Sequence, residues 1–215
     1  MTNYPSDLEA KQAILSCGLR LYARGLVAGN DGNISVRVGS DALWTTPTAV
    51  SKGAMTEKML VKVTMDGRVL EGTHRPSSEL KLHLRLYQER PDLGAVLHAH
   101  PPAATAFASA GLPLDRPVLQ EAVLQLGAVP LVPYALPGSE ALAKGIVPYC
   151  QGTRALLLEF HGAVTWGKNL EQALFRMETL EQVATVTLHL NTLGVDRELP
   201  PNLVQELVAL RETLG

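Results

Sequence analysis

The sequence predicts a three-layer α/β domain in which a mixed, predominantly antiparallel sheet lies between helices. Short alternating stretches such as Ile34-Ser35-Val36-Arg37-Val38 read as strands. The Asp66-Gly67 pair between two apolar runs is a β-hairpin signal. Capped, periodically apolar segments near both ends read as helices.

Along the chain, Ser6-Asp7-Leu8-Glu9 is a capping box that opens a first helix, and Gly25 stops it. Gly-Asn-Asp-Gly-Asn, from residue 29, is a tight turn feeding the strand that begins near Ile34. A second short strand around Ala42 to Thr46 runs into Thr46-Pro47-Thr48, and the hairpin pairs Leu60–Val63 with Arg68–Leu70. Pro76-Ser77-Ser78-Glu79 opens a helix in which Leu80, Leu84 and Tyr87 share a face, and Pro91 ends it.

Gly94 to His100 alternates as a strand with Ala95, Leu97 and Ala99 on one face and Val96, His98 and His100 on the other. Helices are expected over Ala103–Ala110 and Glu140–Val147, whereas Pro113–Pro137 is rich in proline and apolar residues and gives no clear element. Ala155 to His161 is a densely apolar strand bounded by Gly162, with a short run to Trp166 after it. Asn169 with Gln172 caps a long helix whose inward positions include Leu170, Leu174, Met177, Leu180 and Ala184, and an amphipathic stretch over Leu203–Leu210 closes the chain.

At 215 residues and 46% hydrophobic content the chain can bury a core without disulfides, and no linker or repeat breaks it, so residues 1–215 are expected to form a single domain. A net charge of −2 offers no basic surplus for nucleic acid or an anionic membrane. Cys17 and Cys150 are isolated, which fits a reducing, cytoplasmic setting. Met1 to Ala10 is polar, with no apolar signal core, and no window is apolar enough to span a bilayer.

The chemistry concentrates on histidines. Side chains at i and i+2 of a strand project to one face, about 7 Å apart, so His98-Ala99-His100 can present two imidazoles to one ion. His161, ending another apolar strand before Gly162, is the candidate third ligand, and three histidines with an open position describe a catalytic more than a structural site. His74, His83 and His189 read as ordinary polar groups. Ser77-Ser78-Glu79 is either a plain helix cap or an anion site at a helix start, and Gly32-Asn33 and Thr46-Pro47-Thr48 are either turns or ligand loops.

In order, Gly32-Asn33-Ile34-Ser35, Thr46-Pro47-Thr48, Pro76-Ser77-Ser78-Glu79, His98-Ala99-His100 and His161-Gly162 resemble the class II aldolase and adducin family, in particular its L-fuculose-1-phosphate aldolase type, over roughly residues 7 to 190. The resemblance implies zinc on His98, His100 and His161, with cobalt, manganese or nickel as alternatives. It makes Glu79 the acid/base and a possible fourth ligand. It also implies phosphate binding by Asn33, Thr48, Ser77 and Ser78 with backbone help from Gly32, and a homotetramer with sites between subunits. The implied reaction is cleavage of a ketose 1-phosphate to dihydroxyacetone phosphate and an aldehyde through a metal-stabilised enediolate.

Two positions depart from the family pattern. Ala49 stands where a glycine follows the Thr-Pro-Thr, and Leu119 stands where a tyrosine lies about nineteen residues beyond the histidine pair. Glu121 is then a candidate proton donor or a plain surface or interface carboxylate. The apolar residue points to a less hydroxylated aldehyde, so 5-deoxyribulose and methylthioribulose 1-phosphates stand beside fuculose 1-phosphate as candidate substrates. The alternatives are a methylthioribulose-1-phosphate dehydratase, a pentulose-phosphate 4-epimerase, which typically carries Asp where Glu79 stands, and a non-catalytic adducin-like module, which has no need of an open metal site.

Overall fold

The computed structural model describes residues 4–214, so Met1 to Asn3 of the polar N-terminal stretch lie outside the described residues. Eight strands, β1 (Asn33–Arg37), β2 (Ala42–Thr45), β3 (Val61–Thr64), β4 (Val69–Glu71), β5 (Ala95–Ala99), β6 (Leu131–Val132), β7 (Ala155–Leu158) and β8 (Gly162–Gly167), form one sheet in the order β4-β3-β2-β1-β5-β8-β7-β6. Every pairing is antiparallel except β6 with β7, as the mixed, predominantly antiparallel reading expects.

Apart from the exposed edge strand β4, the strands are buried on both faces. One face carries Ile34, Val36, Ala95, Leu97 and Ala99, packed with side chains of α1 (Asp7–Ala23), α3 (Pro102–Ser109) and α5 (Leu170–Thr192). The other carries Leu43, Val61, Val63, Val96, Leu156 and Val164 against α2 (Leu80–Glu89) and α4 (Glu140–Gly145). The alternation within Gly94–His100 therefore divides its residues between two cores, and the layering follows from it. The fold is α/β, with helices on both faces of a mixed sheet.

Local signals set most of the boundaries. Ser6 and Glu9 form the reciprocal capping box, with the Glu9 side chain accepting from the Ser6 N–H at 2.8 Å. Asn169 accepts from the Gln172 N–H at 2.8 Å to start α5. A final helix, α6 (Pro201–Leu214), contains the expected amphipathic stretch.

Two expectations are corrected, and one stretch without a sequence assignment gains one. The second helix begins at Leu80, not Pro76, so residues 76–79 are an irregular segment tied to the Thr46-Pro47-Thr48 loop by Ser77 N–H to Thr46 O at 3.1 Å and Thr48 N–H to Arg75 O at 3.0 Å. His161 lies in the turn between β7 and β8 rather than on a strand. The Pro113–Pro137 stretch holds a π-helical turn over Ala122–Leu126 and the short β6, which gains its backbone partners from β7.

Candidate metal centre

The register of the sheet gathers the site at one end of its central strands. Asn33 lies opposite His98 in the β1–β5 pair, and Ala99 lies opposite Ala163 in β5–β8. The start of β1, the end of β5 and the turn into β8 therefore meet, bringing His98, His100 and His161 together. One ligand atom from each ring lies within 4.8 Å of those of the others. Gly162 makes this approach possible, since a Cβ there would stand 2.6 Å from the Ala99 carbonyl oxygen and 2.6 Å from His100 Cδ2.

The second nitrogens and neighbours orient the rings. His98 Nδ1 faces the Ala163 carbonyl at 2.9 Å, so that nitrogen is the N–H and Nε2 keeps its lone pair for the cavity side. His98 Nε2 and His100 Nε2 are 3.0 Å apart, and His100 Nδ1 lies 3.4 Å from an Asp31 carboxylate oxygen. Two nitrogens bound to one tetrahedral zinc stand about 3.4 Å apart. Facing lone-pair nitrogens at that spacing suit a shared cation.

Glu79 completes the group. Its Oε2 lies 3.2 Å from His98 Nε2 and accepts from Asn33 Nδ2 at 2.8 Å, while Oε1 lies 3.3 Å from His161 Nε2 without hydrogen-bond geometry. Glu79 Oε1 and His161 Nδ1 are buried with no hydrogen-bond partner among the described residues. A carboxylate and three imidazoles with orphaned atoms form a donor set that fits a divalent transition ion.

The four groups are also coupled electrostatically, and a proton shared with Glu79 competes with a cation for the His98 Nε2 position. Burial pushes the Glu79 carboxyl up, but the charges and hydrogen bonds of His98, His161 and Asn33 outweigh it and hold the group well below the usual carboxylate range. Burial pulls the His98 imidazole down, and the Glu79 carboxylate overcomes this to leave it raised. Burial and then the His98 charge lower His100, and the same two causes bring His161 to about 4.

A cavity of about 180 Å³ opens in front of the cluster. Gly32, Asn33, Thr48, Ser77, Ser78, Glu79, His100 and His161 all line it, so the candidate phosphate-binding residues and the histidines share one space. His98, fully buried, sits behind. Glu121 is exposed at the start of the π-helical turn and does not line the cavity of its own chain, and Leu119 packs against the core.

Sequence reading passed over several supporting groups. Asp31 faces His100, and it was legible only as part of a Gly-Asn turn. Lys52, with 2% of its surface exposed, donates to the carbonyls of Asn30 and Val50 at 3.0 and 2.7 Å and so fastens the two loops that border the cavity. His83 is buried on α2, its Nδ1 2.7 Å from Ser35 Oγ, and that hydroxyl lies 3.0 Å from Tyr87 Oη. No local pattern marks either arrangement.

Residues 12–188 match the family described as Class II Aldolase and Adducin N-terminal domain. The chain is 33% identical over 183 residues to a 3-oxo-tetronate 4-phosphate decarboxylase of Pectobacterium atrosepticum, with 83% of this chain and 84% of that protein covered. It is 33% identical over 203 residues to an L-fuculose phosphate aldolase of Escherichia coli, with 94% and 92% covered. A solved L-fuculose 1-phosphate aldolase superposes with a TM-score of 0.89 at 29% identity, covering 97% of this chain and 98% of that one.

Proposed function

Because the chain belongs to the class II aldolase and adducin family, we propose that it is a metal-dependent lyase that breaks a carbon–carbon bond beside the carbonyl of a small phosphorylated sugar or sugar acid. The observation that carries this reading is the Glu79 carboxylate lying 3.2 and 3.3 Å from His98 and His161 within a three-imidazole cluster. His98, His100 and His161 would hold the ion, zinc first among the candidates, with Glu79 as a further ligand at rest. When bound, such an ion is a Lewis acid that stabilises negative charge developing on the carbonyl oxygen.

The rest falls to the chain's own groups. Thr48, Ser77 and Ser78 offer hydroxyls, and Gly32 its backbone, to the phosphate, which anchors the substrate at the mouth of the cavity. Asn33 holds Glu79 in place through one amide N–H and keeps a second for the substrate. Glu79 Oε1 then moves the proton at the carbon that loses its bond to the departing fragment.

The departing fragment is favoured to be carbon dioxide. Retro-aldol cleavage leaves an aldehyde only if a base takes its hydroxyl proton, and the expected tyrosine position holds Leu119, packed against the core. Loss of carbon dioxide from a 3-oxo acid needs no such base, since a lone pair of the carboxylate becomes the new C=O bond of the departing molecule, the C–C bonding pair stays on the carbon beside the carbonyl, and that carbon then takes one proton. The likeness to 3-oxo-tetronate 4-phosphate decarboxylases supports the same choice. The second reading, cleavage of a ketose 1-phosphate, rests on the longer match to the fuculose-phosphate aldolases, with Glu121 of a neighbouring subunit as the candidate group that takes the hydroxyl proton in cleavage and donates it in the reverse direction.

The proposal includes a cytoplasmic enzyme made of one domain and assembled as a homotetramer. Tyr134, Leu136 and Phe160, 60%, 66% and 66% exposed, flank the cavity-lining Pro137 and His161 in sequence and offer an apolar face for a neighbouring subunit. No helix among the described residues is long and apolar enough to cross a membrane. Incubating the metal-loaded protein separately with 3-oxo-tetronate 4-phosphate and with a ketose 1-phosphate panel tests the reading. Carbon dioxide release that Glu79→Gln abolishes is the expected result, aldehyde release alone would move the assignment to the second reading, and no turnover of either class would remove both.

A further inference from the structure

The end of the sheet away from the histidines carries a second, larger cavity of about 480 Å³, bordered by Gly167 at the end of β8 and Asp92 and Leu93 just before β5. The six-residue length of β8 separates the two cavities by about 17 Å. A volume of that order holds a small metabolite.

Its lining is cationic and poorly compensated. Arg90, Arg154, Arg176 and Arg211 all line it, from four separate parts of the chain. Among the described residues only Arg90 has a carboxylate there, its Nε and one terminal nitrogen reaching Asp92 at 2.8 Å. Arg154 and Arg211 donate to the neutral carbonyls of Leu124 and Val123 at 2.9 and 3.1 Å, and Arg176 donates to the carbonyl of Trp166. Four guanidinium groups thus face one carboxylate.

The cost of this arrangement is visible in the groups themselves. Burial, and then the charges of Arg211 and Arg90, lower Arg154, while burial and then Arg154 and Arg90 bring Arg176 down to about 10. The Trp166 indole N–H, fully buried, and the Arg176 Nε–H, in a residue only 9% exposed, have no hydrogen-bond partner among the described residues. Orphaned buried donors beside converging guanidinium groups leave a site short of acceptors and of negative charge.

We propose that this cavity binds a small, multiply charged oxyanion, a phosphate- or carboxylate-bearing metabolite, at a site separate from the histidine centre. Arg154 and Arg211 supply planar donor forks that match oxyanion geometry, and the Arg176 and Trp166 donors gain acceptors on binding. The site goes beyond the proposed lyase reaction and does not depend on it.

Calorimetric titration of the intact protein with inorganic phosphate, and separately with citrate, at low ionic strength tests this. The variants are Arg154→Gln/Arg211→Gln, the single Arg154→Lys as a milder change, and Ser77→Ala/Ser78→Ala for the other cavity. The expected result is a binding event in the wild type that the arginine pair weakens at least tenfold, that Arg154→Lys weakens less, and that the serine pair leaves intact. If only the serine pair alters binding, or all isotherms match the wild type, the second site does not exist. If the arginine pair binds anions as the wild type does but sediments as a smaller assembly, the arginines meet a second copy of the chain and the proposal is overturned. A second phosphate event that the serine pair removes and the arginine pair leaves intact belongs to the histidine-side cavity, and its absence would overturn the phosphate role of the serines without touching this site.

Discussion

Asn33 donates from Nδ2 to Glu79 Oε2 at 2.8 Å, a hydrogen bond between residues 46 positions apart that lies buried between β1 and the segment leading into α2. It fixes the carboxylate against His98 and His161. A hydrogen bond to a charged group is worth about 1.5–3 kcal/mol, so Asn33→Ala should lower kcat roughly tenfold to a hundredfold. Thr48→Ala, which removes only a candidate phosphate contact, should raise KM and leave kcat nearly unchanged. Steady-state kinetics of both variants checks this, and an Asn33→Ala effect confined to KM would show that the amide serves the phosphate and not Glu79.

Two positive-φ positions border the same cavity with opposite chemistry. Gly32, at φ +75°, could take a Cβ only 2.7 Å from Val27 Cγ1 and 2.9 Å from the His98 carbonyl. Left-handed backbone costs about 1–2 kcal/mol for other residues and overpacking adds about as much, so Gly32→Ala should destabilise by at least about 2 kcal/mol in urea denaturation and displace His98. Ala49 already occupies φ 59°. Relief of that strain, less the extra freedom glycine gives the unfolded chain, should make Ala49→Gly stabilising by up to about 1 kcal/mol.

Whatever depended on period or local pairing was legible in the sequence. Ser6, Asn169 and Asp66-Gly67 marked element ends because their signals are contained within four residues. His98 and His100 were legible because an i, i+2 pair is a property of one strand. Ser77-Ser78-Glu79 looked like a helix start for the same local reason. The helix begins at Leu80 instead, and Glu79 turns to histidines on other elements, a contact that no short window contains. β6 and Lys52 were illegible on the same ground, since a two-residue strand exists only through β7 and a buried ammonium only through the carbonyls of Asn30 and Val50.

If the proposed metal centre is right, removing divalent ions should abolish turnover and destabilise the fold at once, because an ion held by His98 on β5, His100 just after it and His161 in the β7–β8 turn would stabilise the folded state by mass action. At a free ion concentration a hundredfold above its Kd the gain is about 2.7 kcal/mol. Chelation should therefore lower Tm in a scanning measurement, and zinc or cobalt should restore both Tm and activity. His161→Ala, leaving two imidazoles, should show little Tm response to added ion. An unchanged Tm in the wild type on chelation and re-addition would argue against a metal centre.

Lys52 gives the protein an alkaline stability signature. Burial lowers its ammonium from 10.5 to about 8, against the opposing pull of Asp31. In the unfolded chain the amine returns to its ordinary value, so between pH 8 and 10.5 the unfolded state binds a proton that the folded state has released. Stability then rises with pH across that window, and below it the buried charge is a constant cost. The full difference is worth at most about 3 kcal/mol. Lys52→Met removes the titrating group but also the two carbonyl contacts that tie Asn30 to Val50. Urea denaturation at pH 8 and at pH 10 should therefore show a gain in the wild type relative to Lys52→Met, with the variant less able to bind phosphate at either pH. Parallel pH profiles for the two proteins would mean that the Lys52 amine is as easily protonated folded as unfolded.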